Sequence, residues 1–321
     1  MQDTSSDLSI KNQGYPEVEV LLATFNGEPF LGDFLESLSQ QEGVKIHLRV
    51  SDDGSTDQTL DLIRAHQFRF ESCEISSGPG RGPSANFFSL IDKASFDYVA
   101  LADQDDIWER DKLSTQLSVL RSNTPHLVCH GRSIVTSRRL KVKNRNKKVK
   151  SLTLKNALIE NIVFGNTILL NKKGVDLVRS HPSRTVLMHD SYIYLIFSCF
   201  GQMTFIQKPL IRYRIHDENF VGIPNMRAKI KNFRKNVDAS YRQNQTFFSV
   251  YRNEITASDT DLFQKYFEIF ESESILLRVL RTISVPIARQ HYLQTMIWKI
   301  LVIVYQSKRL DFIIFRRNSS M

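Results

Sequence analysis

Three short polar clusters carry residue types that could do chemistry, and each directly follows an apolar run. The densest is Ala102-Asp103-Gln104-Asp105-Asp106-Ile107-Trp108, with three carboxylates inside four residues. Like charges this close repel one another unless a cation shares them. A hard divalent ion, held by one or two carboxylates with diphosphate oxygens and water completing its shell, meets that need. Such an ion would offset the charge of a departing nucleoside diphosphate. The plainer reading is a solvated acidic loop; the apolar run 98–102 in front of the cluster argues against it.

The second cluster, Ser51-Asp52-Asp53-Gly54-Ser55-Thr56-Asp57, sets two adjacent carboxylates before a glycine suited to a tight turn. Asp52 and Asp53 could accept hydrogen bonds from a base N–H and ribose hydroxyls, or could only shape the turn; Asp57 reads as the cap of the helix that follows. The third, Ala23-Thr24-Phe25-Asn26-Gly27-Glu28, is rich in small and hydrogen-bonding residues, with Thr24, Asn26 and Glu28 able to hold a base or ribose or simply to form a polar turn. A glycine-rich stretch, Gly78 to Ser84, precedes a helix, so its amides and Arg81 could face phosphates. It matches neither a P-loop nor a dinucleotide-binding fingerprint. Farther on, Asp190 opens an otherwise apolar helix, as an N-terminal cap or as a partly buried carboxylate whose pKa burial would raise toward the range of a general base.

These clusters need a frame that brings strand ends together. Residues 17–24, 44–51, 70–76, 98–102 and 127–135 read as strands, and 29–41, 57–66, 84–94 and 109–121 as amphipathic helices between them. That alternation predicts an α/β fold with a doubly wound, mostly parallel, Rossmann-like sheet, whose ligands lie beyond the carboxyl ends of the strands. Further strands are expected at 162–170 and 203–214 and a buried helix at 189–200. Beyond Pro224 the pattern turns to long charged helices at 226–254, 261–281 and 286–306. The expected division is a flexible stretch 1–16, a catalytic domain 17–224 and a helical C-terminal extension 225–321.

Taken together, ATFNGE, SDDGSTD and ADQDDIW resemble, in order and spacing, the family 2 glycosyltransferases of the GT-A fold. ADQDDIWERDKL, His189-Asp190 and the run Tyr213 to Gly222 look like the subgroup of bacterial rhamnosyltransferases. The resemblance implies an inverting single displacement that moves a sugar, rhamnose in that subgroup, from a dTDP- or UDP-sugar to a glycan or lipid-linked oligosaccharide acceptor. It implies that Asp52 or Asp53 contacts the base, Asp103 the ribose or metal, and Asp105 the metal, a Mg²⁺ or Mn²⁺ ion. It further implies that Asp190 is the general base and His216 a diphosphate or metal contact. Phe25, where many members have Tyr, and Ala85 before Asn86, where many have Arg, depart from the pattern.

The bulk composition fits this reading. With 41% hydrophobic and 24% charged residues the chain can support an ordinary core. Cys73, Cys129 and Cys199 are isolated, which points to a reducing, cytoplasmic setting rather than a disulfide framework. The first fifteen residues lack the apolar stretch of a signal peptide. The net charge of +9 is uneven: residues 136–150 hold eight Lys/Arg and no acid, and residues 225–321 hold sixteen Lys/Arg against eight Asp/Glu. The body is therefore acidic, with basic additions. Nucleic-acid binding is not expected, because the basic run lacks aromatic residues for base stacking and the cleft residues are acidic. A nucleotidyltransferase would want a basic glycine-rich loop after the first strand, where this chain reads ATFNGE. Ile297, Ile300, Leu301, Ile303, Val304, Phe312 and Ile313, near Lys299, Lys308, Arg309, Arg316 and Arg317, could rest on the inner face of the plasma membrane. Packing on the body or on a second subunit serves those residues equally well.

Overall fold

The structure is a computed structural model that describes residues 14–136, 148–182, 188–216, 226–272 and 274–304, without the side chains of 136, 226–232 and 234. Its centre is β1 (Glu17–Thr24), which hydrogen-bonds in parallel to β2 (Lys45–Asp52) on one side and β4 (Tyr98–Asp103) on the other. Val18, Val20, Leu21 and Leu22 are all fully buried, as expected of a strand covered on both faces. β3 (Ser72–Ser77) pairs with β2 at the margin of the sheet.

Beyond β4 the order continues with β7 (Leu169–Asn171), β6 (His126–Thr136), β8 (Gln202–Ile215) and the two-residue β5 (Ile107–Trp108). β7 is antiparallel to both β4 and β6, and β5 is antiparallel to β8. The other pairings are parallel, so the sheet is mixed but mostly parallel.

Helices cover both faces because alternate strand residues feed opposite cores. Val20, Leu22 and Ala100 pack under α1 (Glu28–Ser39) and α2 (Thr59–His66), where Leu31, Phe34, Leu35 and Leu38 recur at helical spacing. Leu21, Val99 and Leu101 pack under α3 (Pro83–Lys93), α6 (Lys172–Ser180) and α7 (His189–Phe200). The same core continues into α8 (Met226–Tyr251) and α9 (Ala257–Glu271) through Val237, Phe247 and Phe263.

Several sequence expectations are corrected. The helix expected over 109–121 shrinks to α4 (Lys112–Leu117). The strand expected over 162–170 shortens to β7, because Gly165–Thr167 winds into a 3₁₀ turn that carries Asn166 toward Asp106. A short α5 (Leu154–Ala157) and α6 were not anticipated. The long helix expected over 261–281 is two helices. α9 starts earlier, capped by the Thr256 side chain, and α10 (Ile275–Ser284) restarts on a Ser274 cap. The last helix, α11, covers residues 292–304 among those described, later than the expected start at 286. Most of the basic loop 136–150 and of the stretch 1–16 lies outside the described residues.

Candidate functional site

Strand ends and the turns behind them build the site. The Gln104 side-chain amide reads the Phe25 backbone in both directions: its oxygen accepts from Phe25 N at 3.0 Å, and its nitrogen donates to Phe25 O at 3.0 Å. This clamps the end of β4 to the end of β1. A Cβ at Gly27 would lie 2.4 Å from Gln104 Oε1, so a larger residue there would push the Gln104 amide out of this clamp.

The turns after β1 and β2 are woven together. Asp52 is buried and takes four donors: Thr24 Oγ1 at 2.8 Å, Ser55 Oγ at 2.6 Å, Gly54 N at 3.0 Å and Ser55 N at 2.7 Å. Asn26 adopts φ 46°, and its side chain accepts from Thr56 N at 2.9 Å. Glu28 accepts from Gln58 N at 3.1 Å. Asp53 is less enclosed and holds the glycine-rich loop by accepting from Gly80 N and Gly82 N, each at 3.0 Å. Gly80 and Gly82 both have positive φ, which lets their amides turn toward that carboxylate. Thr24, Asn26, Glu28, Asp52 and Asp53 thus share one hydrogen-bonded unit. Arg81 sits on its rim, exposed and without an ion pair among the described residues.

The acidic cluster lies where β4 leaves the sheet. Asp103, Asp105 and Asp106 can each present one oxygen within 4.8 Å of the others. Asp106 is fully buried; its Oδ2 accepts from Asn166 Nδ2 at 2.5 Å, while Oδ1 has no hydrogen-bond partner. Removal from water, joined by the charges of Asp105 and Asp190, pushes the Asp103 carboxyl up to about 8 against the opposing charge of Arg132. Burial likewise raises Asp106 well above the usual carboxylate range, with Asp105 and Asp103 adding to the effect. An orphaned carboxylate oxygen among three closely set carboxylates is what a hard divalent cation would satisfy, so these residues fit a Mg²⁺ or Mn²⁺ site. His216, just past the end of β8, places Nε2 2.9 Å from Asp105 Oδ2 and stacks on Phe30 of α1 at 4.0 Å between ring centroids.

Asp190 sits in the first turn of α7 rather than at its cap, which is Met188. It is 7% exposed, and its carboxylate accepts from Ser191 N at 2.6 Å and Gly165 N at 3.3 Å. Next to it His189 stacks on Phe87 at 4.1 Å, and burial lowers its pKa. Neither of its ring nitrogens has a hydrogen-bond partner. Ser84, at the start of α3, accepts from His189 N at 3.1 Å and so ties the glycine-rich loop to the start of α7.

Sequence reasoning missed Arg132, which the geometry places between the two halves of the site. Its guanidinium carbon lies 3.4 Å from the Phe164 ring centroid and 4.4 Å from that of Tyr213. Burial lowers its pKa, while Tyr213, Asp106, Asp103 and Asp190 all favour its charge. The parallel pairing of β6 with β8 slips on both sides of Gly131, and such a bulge re-aims the next side chain. Asn166 and Lys112 were also missed. Lys112 is buried against the Trp108 ring at 3.7 Å, and burial lowers its pKa to about 7, with Asp106 opposing. The available signal was a glycine followed by arginine inside an otherwise apolar strand.

A mostly parallel sheet with helices on both faces carries an acidic cluster and a second carboxylate beyond its strand ends, an arrangement suited to an α/β enzyme that uses a divalent ion. Comparison with known proteins narrows that class. Residues 10–186 match the family described as Glycosyl transferase family 2, and the chain belongs to that family. It is similar to the dTDP-rhamnosyl transferase RfbG of Shigella flexneri, 29% identical over 225 residues that cover 65% of this chain and 77% of that protein. In structure it resembles TarS 1–349 of S. aureus, solved in complex with UDP-GlcNAc, with a TM-score of 0.59, 14% identity, and coverage of 91% of this chain and 92% of that one. It also resembles the mannosyltransferase PcManGT of Pyrobaculum calidifontis, solved with GDP-Man and Mn²⁺, with a TM-score of 0.52, 15% identity, and coverage of 91% and 87%. The fold is GT-A, and the chain is a glycosyltransferase of glycan biosynthesis.

Proposed function

We propose that the chain transfers a sugar, rhamnose as the first choice, from a dTDP- or UDP-sugar to a lipid-linked or polysaccharide acceptor, with inversion at the anomeric carbon. The observation that carries this reading is the arrangement of Asp103, Asp105 and Asp106 on one strand end, with Asp190 and Arg132 electrostatically coupled to Asp103. The rhamnosyl choice is supported by the similarity to the S. flexneri protein.

In this reading the turns holding Thr24, Asn26, Glu28, Asp52 and Asp53 form the nucleoside pocket. Asp53 is the better base contact, because the Asp52 oxygens are already occupied by four donors within the turn. Asp103, Asp105 and His216 would hold the ion, with Asp106 as a further oxygen. A bound Mg²⁺ or Mn²⁺ ion supplies positive charge to the leaving diphosphate. Arg81 approaches the diphosphate from the loop. Asp190 takes the proton from the acceptor hydroxyl as its oxygen bonds to the anomeric carbon, and the bond from that carbon to the diphosphate oxygen breaks. Arg132 keeps a fixed cation between the donor-side carboxylates and Asp190, held over the rings of its two aromatic neighbours.

A calorimetric screen of dTDP-, UDP- and GDP-sugars with Mn²⁺ or Mg²⁺ tests the donor assignment. The expected result is metal-dependent binding with a dTDP- or UDP-sugar preferred. Preference for a GDP-sugar, or equal binding of all three, would refute that choice.

A further inference from the structure

Phe164, Gly165 and Asn166 follow one another in the chain, and each holds a different charged group of the site. The Phe164 ring carries the Arg132 guanidinium at 3.4 Å. The Gly165 amide donates to Asp190 Oδ2 at 3.3 Å, and the Asn166 side chain donates to Asp106 Oδ2 at 2.5 Å. A strand would send neighbouring side chains to opposite faces, so the 3₁₀ turn Gly165–Thr167 is what lets all of them serve one site. The turn is closed by Thr167 N donating to Phe164 O at 2.9 Å and Ile168 N donating to Gly165 O at 3.0 Å. Leu101 N ties it to β4, two residues before Asp103, by donating to Ile168 O at 3.2 Å. Gln116 of α4 donates to Thr167 O at 2.9 Å and to Val128 O at 3.0 Å, and accepts from the buried Lys112 at 3.1 Å.

Buried polar networks of this kind rigidify what they join, and a hydrogen bond to a carboxylate is stronger than a neutral one. Asn166 is a neutral donor. It fixes one oxygen of Asp106 without cancelling the charge and leaves Oδ1, which has no hydrogen-bond partner, to a cation. The opposite end of the turn has no slack. A Cβ on Gly165 would lie 2.5 Å from His189 Nε2, and the His189 ring is buried and stacked on Phe87. The start of α7 therefore grips Gly165 twice, with the His189 ring against its Cα and the Asp190 carboxylate on its amide. Between Asp106 and Asp190 stand two hydrogen bonds and two adjacent residues of one tethered turn, a shorter link than any that runs through the strands.

We propose that Asn166 is a positioning residue, and that the turn 164–167 couples the acidic cluster to the general base, so that filling the Asp103–Asp106 site and seating Asp190 are not independent events. The proposal rests on the reading of Asp106 as an ion contact and of Asp190 as the base. The test makes one substitution at each end of the turn and reads each at the far end. Asn166→Ala is assayed for kcat at saturating Mn²⁺ and donor, alone and combined with Asp190→Asn. It should lower kcat at least about tenfold alone and less than about threefold beside Asp190→Asn, because a residue acting through the base has little left to lose once the base is gone. Asn166→Ser, which keeps a shorter donor, should recover part of the loss. Gly165→Ala, which touches no acid of the cluster, should weaken Mn²⁺ binding by at least about threefold in calorimetry without donor or acceptor. Melting temperature is followed in every variant, and where Asn166→Ala does not fold the Gly165→Ala titration decides alone. Losses from Asn166→Ala and Asp190→Asn that simply multiply, or an unchanged Mn²⁺ affinity in Gly165→Ala, would overturn the coupling while leaving the catalytic reading intact. Full turnover by Asp190→Asn, or by the wild type without the ion, would instead overturn that reading and the proposal with it.

Discussion

Metal binding should displace a proton, and the structure fixes how strongly this makes affinity depend on pH. Asp103 is held up to about 8, by burial first and then by Asp105 and Asp190. Ligation requires the ionised carboxylate, so below that value each binding event expels the proton. One such group weakens apparent affinity by roughly a hundredfold at pH 6 and roughly twofold at pH 8, a rise of about fifty-fold across the interval. Asp106, raised well above the carboxylate range by burial, acts in the same direction. Mn²⁺ titration calorimetry in two buffers of different ionisation heat measures both affinity and proton release. Asp103→Asn should bind more weakly at pH 8 and show a shallower profile. An affinity that changes by less than about threefold between pH 6 and pH 8, with heats independent of the buffer, would refute the reasoning.

Asp190→Asn should lower kcat by ~10²–10⁴-fold, the usual worth of general-base assistance, while calorimetry shows donor affinity nearly unchanged. Near wild-type turnover, or loss of donor binding in step with activity, would remove Asp190 from that role. Arg132→Gln should lower kcat by about tenfold or more with little change in melting temperature, and Arg132→Lys should recover only part of the loss, because an ammonium lacks the planar fork held between Phe164 and Tyr213. Full activity in Arg132→Gln would show that the cation between the two carboxylate groups is dispensable.

Much of the sheet was legible because its first half obeys simple periodicity. β1 and α7 fall on their expected limits, and α1, α3 and β4 lie within a residue or two of theirs. α4 was overestimated because the apolar pattern runs on past Leu117 while the backbone there changes to i→i−3 bonds, Val119 N to Gln116 O and Leu120 N to Leu117 O. The 3₁₀ turn at Gly165–Thr167 was hidden inside an apolar run that reads equally as strand. The acidic cluster was legible because its charges are adjacent in the chain. His216 was reached only through resemblance, and its meeting with Asp105 is a product of β5 pairing with β8. Arg132 left only a faint trace, since its partners Phe164 and Tyr213 come from distant segments and its aim depends on a bulge. The inward face of α10, which buries Arg278 and Thr282, was likewise out of reach: an amphipathic period shows that a helix has two faces, not which one is buried.

The central claim is metal-dependent glycosyl transfer at the Asp103–Asp106 turn. The most direct measurement is release of nucleoside diphosphate from the preferred donor, with wild type and Asp105→Ala, in Mn²⁺ and in excess EDTA. Asp105→Ala is expected to fold normally, because that side chain lies outside the buried core clusters. The account predicts turnover only for wild type with the ion present. Undiminished release in EDTA, or by Asp105→Ala with an intact melting transition, would contradict it.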